Sequence, residues 1–271
     1  MIINNIPKKT TLSVFLLAAG IFIHSCSTVP FSDRQQLILL PSSQMLSMSF
    51  TNYDQFLKEH PPVKNTQNAS LVKSTGNKIA NTVNKYMKEN NMNDRIKGFE
   101  WEFNLVNDDT PNAWCMPGGK VVVYKGILPY TKTEAGLATV MSHEIAHAIA
   151  RHGNERMSQQ LLVQAGGMAL DTYLKKKKEE SRDIFMTAYG VGSTVGVMLP
   201  YSRAHETEAD KLGLIFMAMA GYELGPAVDF WKRMSESGGK KPPEFLSTHP
   251  SDETRINNLK EFIPKARKYG D

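Results

Sequence analysis

The sequence is poor in cysteine and lacks a long hydrophobic run. It has 2 cysteines, Cys26 and Cys115, in 271 residues. Because Cys26 falls in a leader motif described below, Cys115 is left without a partner and no internal disulfide is expected. The apolar runs at 12–23 and 184–199 are shorter than the roughly 20 residues that a helix needs to cross a bilayer. No repeat, low-complexity tract or interdomain linker is visible, so we expect one folded unit.

The chain also lacks the features of a nucleotide- or nucleic-acid-binding protein. Its formal net charge is +5, and two of its lysines lie in the leader, so the remainder is only weakly basic. The segment GVGSTVG is rich in glycine, but it has neither the preceding strand nor the spacing of a phosphate-binding loop. We therefore expect no nucleic-acid partner.

Residues 1–25 have the layout of a secretory signal. Two lysines precede an apolar core, and the segment ends in IHSC at Cys26. Ile23 and Ser25 fit the positions that precede a lipidated cysteine in bacterial lipoproteins, whereas His24 is an unusual occupant of the middle position.

We predict that residues 1–25 are a lipoprotein signal peptide, that Cys26 carries the lipid and that residues 26–41 form a lipid-anchored tether. This would place the chain in a bacterial cell envelope, by default on the outer membrane facing the periplasm. A signal that is cleaved in the ordinary way, or not cleaved, is the alternative.

The segment SHEIAHAIARH places two histidines one helical turn apart. It lies in an apolar helical pattern that runs roughly from 134 to 160. In such a helix His143 and His147 lie about 40° apart on one face, whereas His152 lies about 140° round from His147 and cannot share their metal. Two neutral imidazoles at this spacing bind Zn²⁺, and Glu144 is placed to take a proton from water on the metal. The apolar flanks favour a dry metal site over a solvated helix face.

The third ligand has to come from another segment, because the chain has Ala150 and Gly153 where a longer motif on the same helix would need glycine and histidine. The segment YSRAHETEAD offers Glu206 and Asp210, four residues apart on one helix face. We assign Glu206 as the third ligand and Asp210 as the acceptor of a ligand histidine's outer N–H. Glu208 faces away from this pair. A solvated acidic helix start is the alternative.

Three blocks occur in the order PNAWCMPGGKVVVYKGIL, TVMSHEIAHAIARH and SRAHETEAD. Together they resemble peptidase family M48, the gluzincin zinc metallopeptidases that include CAAX prenyl proteases and lipid-anchored envelope peptidases. The resemblance implies an endopeptidase that binds one Zn²⁺ per chain. It implies His143, His147 and Glu206 as the ligands and Glu144 as the general base.

Two further groups of residues are candidates by the same resemblance. Asn112 and Ala113 are candidates for the substrate cleft. His249 lies in STHPSDETR, where Pro250 keeps it out of helical geometry. The family often carries such a histidine near its cleft, so His249, with Arg255 in the same segment, is a candidate to gate the zinc or to bind substrate. A loop histidine without such a role is the alternative.

The sequence predicts a mostly helical α+β fold of the zincin (gluzincin) type, with a metallopeptidase domain at 42–271. Amphipathic patterns predict helices at about 42–57 and about 68–89. The segment KVVVYKGIL is β-branched and is predicted to be a strand near the zinc, with FEWEFNLVND as its sheet neighbour. As an edge strand, KVVVYKGIL could pair with an extended substrate backbone.

The interpretation with most support is a zinc-dependent endopeptidase of the cell envelope that acts by attack of a zinc-activated water. Its expected partners are unfolded or misassembled envelope polypeptides and, through the lipid anchor, a membrane. A tethered chaperone or assembly factor for outer-membrane proteins, with little turnover, is the alternative function.

Overall fold

The structure, a computed structural model, describes residues 26–175, 179–237, 244–249 and 253–270. The predicted signal peptide at 1–25 lies outside the described residues. The rest is mostly helical with small sheets, so the predicted α+β zincin fold is confirmed. The helices are α1 Ser42–Glu59, α2 Gln67–Glu89, α3 Leu128–Thr131, α4 Glu134–Ile149, α5 His152–Leu174, α6 Glu179–Ser193, α7 Leu199–Met219, α8 Gly225–Glu236, α9 Glu244–Thr248 and α10 Glu253–Ala266.

Two sheets accompany these helices. The strands are β1 Cys26–Thr28, β2 Gln35–Leu37, β3 Glu102–Val106, β4 Ala113–Met116 and β5 Lys120–Tyr124. Strands β1 and β2 form an antiparallel hairpin, and the second sheet has the order β3-β5-β4. Strand β5 runs parallel to β3 and antiparallel to β4.

The predicted strand KVVVYKGIL is the centre of its sheet and not an edge. Val121, Val122 and Val123 of β5 are all fully buried, because successive side chains of a strand point to opposite faces and both faces are covered here. Val122 packs with Tyr53 of α1, while its two neighbours join the main core between α2 and α4. The edge beside α4 is β4, so any pairing with a substrate backbone belongs to β4.

The predicted single helix from 134 to 160 is two helices. Helix α4 ends at Ile149, and Arg151 has a left-handed backbone with φ 58°. A left-handed residue ends a helix and turns the chain. Helix α5 therefore begins at His152 in a new direction, and the angular argument that separated His152 from His147 does not apply.

Residues 26–41, expected to be a tether, are folded onto the domain. Val29, between β1 and β2, is fully buried, and the Phe31 ring stacks on Tyr86 of α2 at a centroid distance of 4.9 Å. The hairpin is held because Arg95 donates to Gln36 Oε1 at 2.9 Å and Gln36 Nε2 donates to the Ala150 carbonyl at 2.7 Å. The lipid anchor itself stays a prediction.

Helices α5 and α6 carry an exposed apolar surface. Met168, Tyr173 and Ile184 are each more than 60% exposed. Helix α6 continues through a π-helical turn, Thr194–Met198, into α7. Within the described ranges, the continuous stretch Glu179–Met219 is the one helix whose length and composition would let it cross a membrane. The run at 184–199 is thus part of a helix longer than the apolar run alone.

Helices α4 and α7 cross at a glycine. A Cβ atom at Gly213 would lie 3.1 Å from the backbone nitrogen of His143, which is closer than side-chain contacts normally allow. The absence of a side chain there lets α7 approach α4 at the histidine motif. The crossing brings the two halves of the predicted metal site together.

Candidate metal centre

Four ligand-type side chains from three parts of the chain converge at one point. His143 and His147 lie on α4, Glu206 lies on α7, and His249 follows α9. One ligand atom from each lies within 4.8 Å of those from the other three. His143 and Glu206 are only 2% and 8% exposed, so the cluster is largely shielded from water.

The spacing of the ligand atoms of His143, His147 and Glu206 suits a tetrahedral zinc site. His143 Nε2 is 3.1 Å from His147 Nε2, and the two nitrogens are each 3.3 Å from a Glu206 oxygen, Oε2 for His143 and Oε1 for His147. Zinc bonds of about 2.1 Å to nitrogen and oxygen, arranged as a tetrahedron, separate neighbouring ligand atoms by about 3.4 Å. The side chains therefore fit a zinc ion.

Asp210 orients the first histidine. Its Oδ1 is 3.0 Å from His143 Nδ1, so the Nδ1–H donates to the carboxylate and the Nε2 atom points into the cluster. Arg255 holds the carboxylate in turn, with its Nη2 2.6 Å from Asp210 Oδ1. The Arg255 guanidinium lies 3.4 Å from the centre of the Trp231 ring. Arg255 thus supports the site from behind Asp210.

Another histidine, not a carboxylate, contacts the outer face of His147. The Nδ1 atoms of His147 and His152 are 2.8 Å apart, and His152 Nε2 is 2.8 Å from Glu208 Oε2. Burial lowers the pKa of His152 to about 4 against the effect of Glu208, so the ring is neutral near pH 7. A carboxylate only accepts, so His152 donates to Glu208 and accepts the Nδ1–H of His147. The Nε2 lone pair of His147 is left facing Glu206.

The cluster attracts positive charge. Burial acts to raise the pKa of Glu206, but interactions with His143, His147 and His249 hold that pKa far below its usual range. Burial acts to lower the pKa of His143, but hydrogen bonds with Asp210 and Glu206 raise it to about 9. Buried carboxylates need a compensating cation, and a divalent metal ion at the ligand atoms would supply it.

Glu144 lies beside the cluster with an acceptor oxygen available. Its Oε1 is buried and makes no hydrogen bond within the described part of the chain, and His249 Nε2 lies 3.4 Å away. Burial raises the pKa of Glu144. A carboxylate with a raised pKa and a spare acceptor suits a general base, because it can take a proton and later return it.

The His249 ring contacts the ligand atoms of Glu206 and His143. Its Nδ1 is 2.8 Å from Glu206 Oε2 and 3.1 Å from His143 Nε2. The ring stacks on Phe245 of α9 at a centroid distance of 4.6 Å, which holds it over the cluster. His249 therefore lies where it could fill the remaining position of a tetrahedral metal ion, as the gating hypothesis requires.

The cleft candidates lie at the sheet edge that adjoins α4. Ala113 begins β4, and Asn112 precedes it and accepts a backbone hydrogen bond from Tyr124 at 3.0 Å. The Phe245 backbone donates to the Pro111 carbonyl at 3.2 Å, so this segment adjoins the helix that leads to His249. Cys26, the predicted lipid site, pairs with Leu37 in the N-terminal hairpin.

The sequence did not reveal the support around His152. Its ring stacks on His205 at a centroid distance of 4.2 Å, and His205 Nε2 is 3.0 Å from Glu155. Arg34 contacts both Glu155 and Glu208. The sequence does contain His152, at the end of the histidine motif, and Glu208, in ETEAD. Their contact with His147 depends on the turn at Arg151, which the sequence did not reveal.

Residues 73–263 match peptidase family M48. The chain belongs to this family. It is 37% identical over 174 residues to the mitochondrial metalloendopeptidase OMA1 of Schizosaccharomyces pombe. The matched region covers 64% of this chain and 49% of that protein. It is 29% identical over 247 residues to the mitochondrial metalloendopeptidase OMA1 of Homo sapiens, covering 88% of this chain and 46% of the relative.

A bacterial relative is the beta-barrel assembly-enhancing protease of Yersinia pestis, which is 27% identical over 165 residues. The matched region covers 59% of this chain and 34% of that protein. The chain thus spans half or less of the length of these curated relatives. The predicted family is confirmed, and the shared region contains a metallopeptidase domain.

Changing Glu206 and Glu144 separately tests the ligand assignment. The purified protein should hold about one Zn²⁺ per chain. Glu206→Ala should lose it, because an anionic ligand is removed, whereas Glu144→Gln should retain it, because the base is not a ligand. Metal content can be measured by atomic emission after dialysis. Normal zinc retention in Glu206→Ala would reject the assignment.

His249→Ala tests the gating hypothesis. Removing the ring should raise proteolysis, including self-cleavage, while zinc content stays at one per chain, because the other three ligands remain. His60→Ala, at the end of α1, is the matched control and should change neither. Lower turnover in His249→Ala would indicate a role in catalysis or substrate binding, and unchanged turnover would leave His249 without a role in the reaction.

Proposed function

We propose that this chain is a zinc-dependent endopeptidase that cleaves unfolded or misassembled polypeptides of a bacterial cell envelope. The observation that carries the proposal is the geometry of the cluster. The ligand atoms of His143, His147 and Glu206 have a spacing that suits a tetrahedral zinc ion, and Glu144 lies beside them with an oxygen that accepts no hydrogen bond from the described residues. Membership of a metallopeptidase family supports the same function.

Each residue of the cluster has a place in such a reaction. His143, His147 and Glu206 would hold the zinc ion, which when bound supplies a Lewis acid that polarises the scissile carbonyl and makes water more acidic. Glu144 Oε1 would take the proton of the attacking water and then pass it to the nitrogen of the leaving amine. Asp210 would keep the His143 ring in its ligand orientation.

Strand β4 suits an extended substrate. It is an edge of its sheet, next to α4, and pairs with β5 on one side. A peptide that adds to an edge strand binds mainly through its backbone, so little side-chain choice is needed. This mode fits unfolded segments of varied sequence.

Cleavage of casein tests the endopeptidase. The wild-type protein should release casein fragments in the presence of zinc, and chelation should stop the reaction. Glu144→Gln should lower the rate by about 100- to 10,000-fold, the usual contribution of a general base. Glu134→Gln, at the exposed start of the same helix, is the control and should cleave normally. An inert wild-type protein that retains its zinc would count against the proposal.

The name of the Yersinia pestis relative keeps one alternative open, a tethered assembly factor in which turnover is secondary. The two functions separate in cells. If the Glu144→Gln variant fully complements a strain that lacks the gene, then turnover is dispensable and the assembly role is favoured.

The envelope location is proposed to depend on a lipid at Cys26. The support is the leader, whose apolar core ends in a small residue before this cysteine. Labelled palmitate should enter the wild-type protein and the Cys115→Ala control, but not Cys26→Ala, because the lipid needs the Cys26 thiol. Label in Cys26→Ala, or none in the wild type, would reject the anchor.

A further inference from the structure

A continuous line of polar contacts leads from the N-terminal hairpin to His147. Arg34 lies in the turn that enters β2. Its Nη2 is 2.8 Å from Glu208 Oε2, Glu208 Oε2 is 2.8 Å from His152 Nε2, and His152 Nδ1 is 2.8 Å from His147 Nδ1. Every link is within hydrogen-bond distance.

The carboxylate of Glu208 fixes the direction of each hydrogen bond, because it can only accept. It takes bonds from Arg34 and from His152 Nε2–H. His152 is then left with an acceptor at Nδ1, which can bond only the Nδ1–H form of His147. The position of Glu208 as an acceptor at this end of the line therefore decides which nitrogen of His147 has a lone pair for a metal.

Arg34 is the group that holds Glu208 in place. Its guanidinium also contacts Glu155, with Nη1 and Nη2 each 2.8 Å from a carboxylate oxygen. Glu155 and Glu208 are 1% and 7% exposed, and a buried carboxylate without a cation is costly. The planar guanidinium can bond two carboxylates at once, which a lysine cannot do in the same way.

The hairpin turn is shaped for these contacts. Phe31 and Asp33 both have left-handed backbones, with φ 66° and φ 54°, a conformation that non-glycine residues adopt at a cost. Between them Ser32 Oγ donates to Glu208 Oε1. Two polar side chains on either side of Asp33, those of Ser32 and Arg34, thus reach the same carboxylate from a strained turn.

We propose that Arg34 is a positioning residue of the metal site, which acts through Glu208 and His152 to set the tautomer and orientation of His147. The N-terminal hairpin is then part of the active site and not only a covering. This inference rests on the proposed metal role of His147. It assigns the turn a task in orienting His147, because among the described residues a histidine, His152, and not a carboxylate contacts the outer nitrogen of His147.

The competing explanation is that Arg34 only fastens the hairpin to the domain. Arg95 provides the matched control, because it fastens the same hairpin through neutral acceptors, donating to Ser27 Oγ at 2.7 Å and Gln36 Oε1 at 2.9 Å. Loosening the hairpin should affect Arg95→Met and Arg34→Met alike. Loss of the line to His147 should affect Arg34→Met alone.

The experiment is zinc affinity, measured on the full chain by competition with a chromophoric chelator. Arg34→Met should weaken zinc binding by about 10- to 100-fold, the usual effect of losing an outer contact of a ligand histidine, whereas Arg95→Met should bind zinc as the wild type does. The visible spectrum of Co²⁺ bound at the site should change in Arg34→Met only, because it reports the ligand geometry.

A double-mutant cycle separates the line of contacts from general destabilisation. In a His152→Ala background, Arg34→Met should change zinc affinity little, since effects along one path are not additive. If Arg34→Met does not fold, Arg34→Lys should show a smaller loss in the same direction. Normal zinc affinity in the Arg34 variants, or equal losses with and without His152, would overturn the inference. Failure of the wild type to bind zinc would instead overturn the proposed function.

Discussion

The close crossing of α4 and α7 is the contact on which the rest of the site depends. Gly213 lets the backbones meet beside His143, and from that crossing the histidines of one helix face the carboxylates of the other. Helical spacing then places two side chains of the site on one face of each helix. His143 and His147 are one turn apart on α4, and Glu206 and Asp210 are one turn apart on α7.

Burying so much charge is unfavourable unless every charged group has a partner. Two lines of contact supply such partners around the proposed metal ligands and leave them in different directions. One runs from His143 through Asp210 to Arg255. The other runs from His147 through His152 and Glu208 to Arg34. Each line ends on an arginine that contacts a carboxylate, so each of the two histidines is linked through a carboxylate to a cation.

The sequence predicted what depends on local periodicity. The helices at 42–57 and 68–89, the ligand-type spacing on α4 and the pairing of Glu206 with Asp210 all follow from 3.6 residues per turn. Two predictions were wrong where the structure is set by a single residue or by a distant segment. The left-handed conformation of Arg151 breaks the predicted helix and turns His152 back onto His147, and no periodic signal marks it. Strand β5 is central because β3 and β4 pair with its two edges, which its own residues could not reveal. The contacts of Arg34 depend on tertiary packing and were not predictable.

Glu208 and His249 each contact a residue that lies far from them along the chain. Arg34 and Glu208 are separated by 174 residues, and His143 and His249 by 106. Contacts of such long range are slow to form, because the chain must first close the intervening loops. During synthesis the histidine motif emerges well before Glu206, and Glu206 before His249. A growing chain that has made only α4 therefore carries two of the proposed ligand histidines without Glu206, so the proposed metal site can assemble only after α7 has been made and has packed against α4.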